Sequence, residues 1–144
     1  MSISVGRAVL ASLVLASGLS FAAPASAQSE ATFQKRFCKG MVMKKYLPSG
    51  TYVDCISETH AIEVDFTNHW AEAIGQSLFY ASELEKLPGI ILVCRPHDRD
   101  ALCLKHAYHI EQAVTYWRIG MTLWLCEASA RSLDECRREE LMGP

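Results

Sequence analysis

The chain has 144 residues, half of them hydrophobic and 21% charged, with 14 Lys and Arg against 16 Asp and Glu. That suffices for one core of ordinary size and excludes a disordered, fibrous or collagen-like chain. A formal net charge of −2 provides no global attraction to a polyanion, so any contact with nucleic acid has to be local.

Residues 1–27 read as a secretory signal peptide. Arg7 supplies a short positive region, AVLASLVLASGLSFAA an apolar one, and Ala25-Ser26-Ala27 the small residues before a cleavage point at Gln28. The apolar run covers about 16 residues, short of the ~20 a spanning helix needs. Removing 27 of 144 residues leaves 117, a single domain over 28–144, and the loss of Arg7 takes the net charge to −3. The expected location is periplasmic or secreted, with no membrane span after cleavage. Cys38, Cys55, Cys94, Cys103, Cys126 and Cys136 all lie in the exported part, so disulfides are expected. Their connectivity is open. A Cys94–Cys103 bridge closing a strand-to-helix loop is the simplest for that pair, and Cys136 ties the tail back.

Glu30 to Met41 reads as a helix, with Phe33 and Phe37 one turn apart. The basic residues Lys35, Arg36, Lys39, Lys44 and Lys45 cluster here. A solvated helix face is the simpler reading and a local phosphate-facing patch the alternative. Met41 to Tyr46 and Thr51 to Ile56 flank Leu47-Pro48-Ser49-Gly50, which predicts a β-hairpin. His60 to Phe66 is a third strand, with Ile62, Val64 and Phe66 on one face and Ala61, Glu63 and Asp65 on the other. Thr67 or Asn68 caps a helix from about Trp70 to Leu84. Pro88-Gly89 stops the chain before Ile90 to Cys94, an apolar run typical of a strand buried on both faces. Asp98 to Trp117 is a further helix, Met121 to Cys126 a final strand, and Ser132 to Leu141 a polar terminal helix. The expectation is an α/β fold with a mixed sheet of about four to five strands flanked by helices.

The stretch VDC…AIEVDF…WAEAIGQ…FYA, with acids at Asp54, Glu63 and Asp65, resembles the PD-(D/E)XK nuclease superfamily, including its RecB-type members. The likeness covers roughly Glu30 to Val93. It implies a restriction-endonuclease-like α-β-β-β-α-β core and cleavage of DNA or RNA with Mg²⁺ as cofactor. By that resemblance Asp54, Glu63 and the carbonyl of Val64 form the metal shell, and Gln76 and Tyr80 match a Q-x-x-x-Y element beside the site. Physically, two carboxylates converging from adjacent strands suit Mg²⁺, which polarises a phosphate and acidifies bound water. His69, Ala73, Gln76 and Tyr80 share one helix face, so His69 and Gln76 reach the site if that face packs on the acidic side of the sheet.

The departure from the family is Glu63-Val64-Asp65, where the superfamily places a lysine in the position of Asp65. An aspartate adds negative charge where an anion must bind, and His69 is the candidate to make good part of the loss. A catalytically inactive module of the same fold is the alternative function. A third reading is Cys94, His97, Cys103, His106 and His109 as ligands of zinc or copper, although the helical spacing spreads the last three around the axis. Tyr108, Tyr116, Trp117 and Trp124 read as core and helix-packing aromatics rather than a base-stacking platform. Oligomeric state leaves no trace in the sequence.

Overall fold

The structure, a computed structural model, describes residues 28–98 and 100–142. The expected signal peptide lies outside the described residues. The elements are helix α1 (Glu30–Phe37), strands β1 (Val42–Tyr46), β2 (Tyr52–Ile56) and β3 (His60–Phe66), helix α2 (Trp70–Leu84), strand β4 (Leu87–Cys94), helix α3 (Asp100–Tyr116) and strands β5 (Met121–Glu127) and β6 (Arg137–Leu141). The strands form one mixed sheet in the order β1-β2-β3-β4-β5-β6. β3, β4 and β5 run parallel, and the three outer pairings are antiparallel. This is the expected α/β architecture, with a sheet of six strands.

The alternation along β3 sorts its side chains as its period of two dictates. Ile62 and Val64 join Phe33 and Phe37 of α1, Ile91, Val93 and Trp124 in one core. On the other face α3 lies over Ile90, Leu92, Leu123 and Leu125, with Ala73 of α2 in the same cluster. Near the hairpin, Tyr80 and Ala81 of α2 pack on Leu47, Val53, Ile56 and Ala61. Ala61, Glu63 and Asp65 share the α2 face by the same alternation.

Four sequence expectations are corrected. Ser132 to Leu141 is not a helix: a 3-10 turn over Leu133–Glu135 leads into β6, an edge strand against β5. Arg137 pairs with Glu139 and Arg138 with Glu140. Residues two apart share a face only in a strand, so the R-R-E-E order satisfies itself when extended and not when helical. Charges are also what keeps an edge from recruiting another chain. Pro88-Gly89 does not stop β4 from starting earlier, at Leu87, because pairing with β5 begins only at Gly89 and Pro88 has no β5 partner to fail. A Cβ at Gly89 would stand 2.9 Å from Trp124, so the glycine admits the indole rather than breaking the strand. Neither Thr67 nor Asn68 caps α2 with its side chain; Thr67–His69 is a 3-10 turn feeding the helix. Finally, Tyr116 and Trp117 are 77% and 72% exposed and Tyr108 is also exposed, whereas Trp124 is the core aromatic expected.

Three disulfides join Cys38 to Cys55, Cys94 to Cys103 and Cys126 to Cys136. They are what an oxidising compartment favours. No helix among the described residues is long and apolar enough to cross a membrane.

Candidate acidic site

The site forms where β2 and β3 part. Their pairing is confined to Cys55 with Ile62 and Ile56 with Ala61, and beyond it the Asp54 carboxylate takes the place of a backbone acceptor. Asp54 Oδ2 accepts the Val64 N–H at 3.0 Å. In an extended strand a residue's N–H and C=O point to the same edge, so the Val64 carbonyl faces this gap as well. From the opposite side the amide of Gln34, a buried α1 residue, donates to both the Asp54 carbonyl and Oδ1 at 2.9 Å each. The Cys38–Cys55 bridge fixes the end of α1 to the residue after Asp54, which holds Gln34 in register.

Glu63 lies deep on the α2 face of β3, 6% exposed, and its Oε2 atom has no hydrogen-bond partner. Burial, then the charges of Asp54 and Asp65, push its carboxyl up to about 9. Burial likewise raises Asp54, with the Val64 hydrogen bond opposing, Asp65 adding to the rise and Lys44 drawing it back. Glu30, in the first turn of α1, is raised by desolvation and then by Asp65 and Asp54. The sequence reading missed Glu30 and Gln34, since nothing in the spacing of α1 says that its start reaches acids more than 20 residues away.

Asp65 is also raised, by burial first, while the Phe66 N–H and His69 oppose the rise. Its Oδ1 accepts the Phe66 N–H at 2.7 Å and lies 3.0 Å from His69 Nδ1. His69 thus stands at the mouth, its side chain half-exposed against an Asp65 that is 7% exposed. With the His69 Nδ1–H turned to the carboxylate, Nε2 is left to face solvent.

Helix α2 closes the other side. The buried Tyr80 is raised by burial and then by Glu63 and Asp54, with a hydrogen bond to Thr51 opposing. Glu72 adds its charge to that felt by Glu63. Gln76 lies one helical turn from both Glu72 and Tyr80. Its Oε1 and the neighbouring Ser77 Oγ are buried without partners, as is Glu63 Oε2.

Asp54, Glu63, Asp65 and Tyr80 lie near enough to act on one another's charges, and His69 joins them through Asp65. Gln76 stands on α2 between Glu72 and Tyr80, with no hydrogen bond among the described residues that ties it to the acids. The Cys/His set does not assemble: the sulfurs of Cys94 and Cys103 are bonded to each other, and His106 bonds Thr67 at 2.9 Å while lying against Trp70. No protein-family model matches this chain, and no curated protein or solved structure does so. A fold would not in any case name a function, which resides in the chemistry of the site.

Among the described residues no group of three or more His, Cys, Asp or Glu is placed to hold a metal ion. Mg²⁺ does not require such a group, because it binds through one or two carboxylates and completes its shell with water and substrate phosphate. The oxygens such an ion would draw on here are those of Asp54 and Glu63 and the Val64 carbonyl; both Asp54 oxygens already accept hydrogen bonds, from Gln34 and Val64, and the Glu63 Oε2 is unpartnered.

Proposed function

We propose that this domain is a divalent-cation-dependent phosphodiesterase acting on DNA or RNA, an exported nuclease of the PD-(D/E)XK type with a degenerate E-X-K element. The observation that carries the reading is the buried, partnerless Glu63 oxygen beside Asp54, since a carboxyl group whose titration is so strongly displaced by burial and like charge is a common mark of a functional site. Asp54, Glu63 and the Val64 carbonyl would hold Mg²⁺. When bound, the ion polarises the phosphate and lowers the pKa of a water.

The remaining roles belong to the chain. Gln34 fixes the Asp54 carboxylate from behind. Gln76 and Tyr80 wall off the α2 side, with Gln76 Oε1 available to orient a water or a ligand oxygen. Asp65 orients His69 and balances an imidazolium, so that His69 Nε2 takes or gives a proton at the mouth of the site. The three disulfides support the periplasmic or secreted location. An inactive binding module of the same fold is the competing reading, and Asp65 in the lysine position is what favours it.

The test is direct. Oxidised protein is incubated with supercoiled plasmid, single-stranded DNA and RNA in Mg²⁺ or Mn²⁺. Cleavage abolished both by EDTA and by Glu63→Gln supports the reading, and no cleavage of any substrate with either ion overturns it.

A further inference from the structure

We propose that Lys44 is the cation that contacts the substrate phosphate, standing in from strand β1 for the lysine that Glu63-Val64-Asp65 lacks. The inference rests on the phosphodiesterase reading and adds a residue to the same site.

The β1–β2 hairpin keeps one register throughout: Val42 opposes Ile56, Met43 opposes Cys55, Lys45 opposes Val53 and Tyr46 opposes Tyr52. Within this described ladder the position left without a pair is Lys44 opposite Asp54. The interruption has a backbone cause, because Lys44 takes a left-handed conformation with φ of 52°. Lysine has no intrinsic liking for that region, which glycine enters without steric penalty. Such strain persists only where the surrounding structure imposes it, and it concentrates at functional sites. Here it breaks the ladder beside the acid that anchors the site.

The charge environment agrees. Lys44 is the one basic residue among the groups acting on Asp54, and it is exposed, so its ammonium is free to meet a ligand. Two other cations of this half of the molecule are engaged. Arg36 donates to the carbonyls of Ala128 and Ala130, and Arg95 is held by Asp98 and Asn68. A lysine is a compact charge on a flexible stem, suited to follow a phosphate oxygen as its charge grows. It also answers the difficulty that Asp65 creates, by offsetting negative charge from the opposite strand of the hairpin.

Lys44→Gly tests this cleanly, because glycine accepts the same φ and the fold is preserved while the ammonium is removed. Expected is a fall in kcat of roughly 10²-fold with little change in melting temperature. Added methylammonium should restore part of the lost rate to Lys44→Gly and do nothing for wild type. Cleavage by Lys44→Gly within threefold of wild type overturns the assignment and leaves the phosphodiesterase reading intact. If wild type cleaves nothing, binding of a short oligonucleotide in Ca²⁺ decides separately. Wild type binding about tenfold more tightly than Lys44→Gly, with a salt slope steeper by about one, sustains the phosphate contact. Equal binding, or none by either protein, overturns it.

Discussion

The Val64 N–H donates to the Asp54 carboxylate at 3.0 Å, in a gap where β2 and β3 have ceased to pair. One side chain therefore replaces a rung of the sheet, and the same carboxylate is gripped from α1 by Gln34. Asp54→Ala would leave the Val64 N–H unpartnered and remove one of the two hydrogen bonds of the Gln34 amide. The expected cost is about 2–4 kcal/mol, read as a lower urea midpoint at unchanged m-value. A cost below about 0.5 kcal/mol would mean that Asp54 is a replaceable strand end.

Glu63 yields a prediction of the opposite sign. Its folded-state pKa, about 9, is above the ordinary 4.5. The stability it contributes is therefore fully present below pH 4.5 and is lost as pH rises towards 9. At pH 8 without divalent ions the carboxyl costs the fold on the order of 5 kcal/mol. Glu63→Gln should melt several degrees above wild type at pH 8 in EDTA, with the gap closing towards pH 4.5. A variant less stable than wild type at pH 8 would show that the carboxylate serves the fold.

Much of this region was legible in the sequence. Alternation along His60 to Phe66 gave the strand bounds and both faces, because a period of two leaves no freedom once the segment is extended. The helix over Trp70 to Leu84 was equally clear, whereas His69 belongs to the 3-10 turn before it and not to its face. What was hidden depends on contacts between distant residues. Gln34 meets Asp54 across 20 positions, and Lys44 matters only through a ladder break that composition does not record. The RREEL strand was misread because Arg, Glu and Leu favour helices locally, while the pairing with β5 that overrules them is tertiary.

Gln34→Ala should show how far α1 supports the site. Removing two hydrogen bonds to Asp54 costs about 1–3 kcal/mol and leaves the carboxylate free to swing. The rise in melting temperature that Mg²⁺ gives wild type should shrink in this variant, and an undiminished rise would mean that Gln34 is packing only.

His69→Ala separates chemistry from folding. The Asp65–His69 pair is half-exposed on the histidine side, so its loss should change stability by less than about 1 kcal/mol. Cleavage should fall by roughly 10²-fold. A variant with unchanged rate would remove His69 from the reaction.

The most direct test is calorimetric titration of the oxidised protein with Mg²⁺ or Mn²⁺ at pH 7.5, repeated in buffers of different ionisation enthalpy. Glu63 holds its proton at that pH and must release it to bind a cation. The expected result is a single site, with close to one proton released per ion bound and all binding lost in Glu63→Gln. No binding, or binding without proton release that survives Glu63→Gln, would contradict the assignment of these buried acids to a cation.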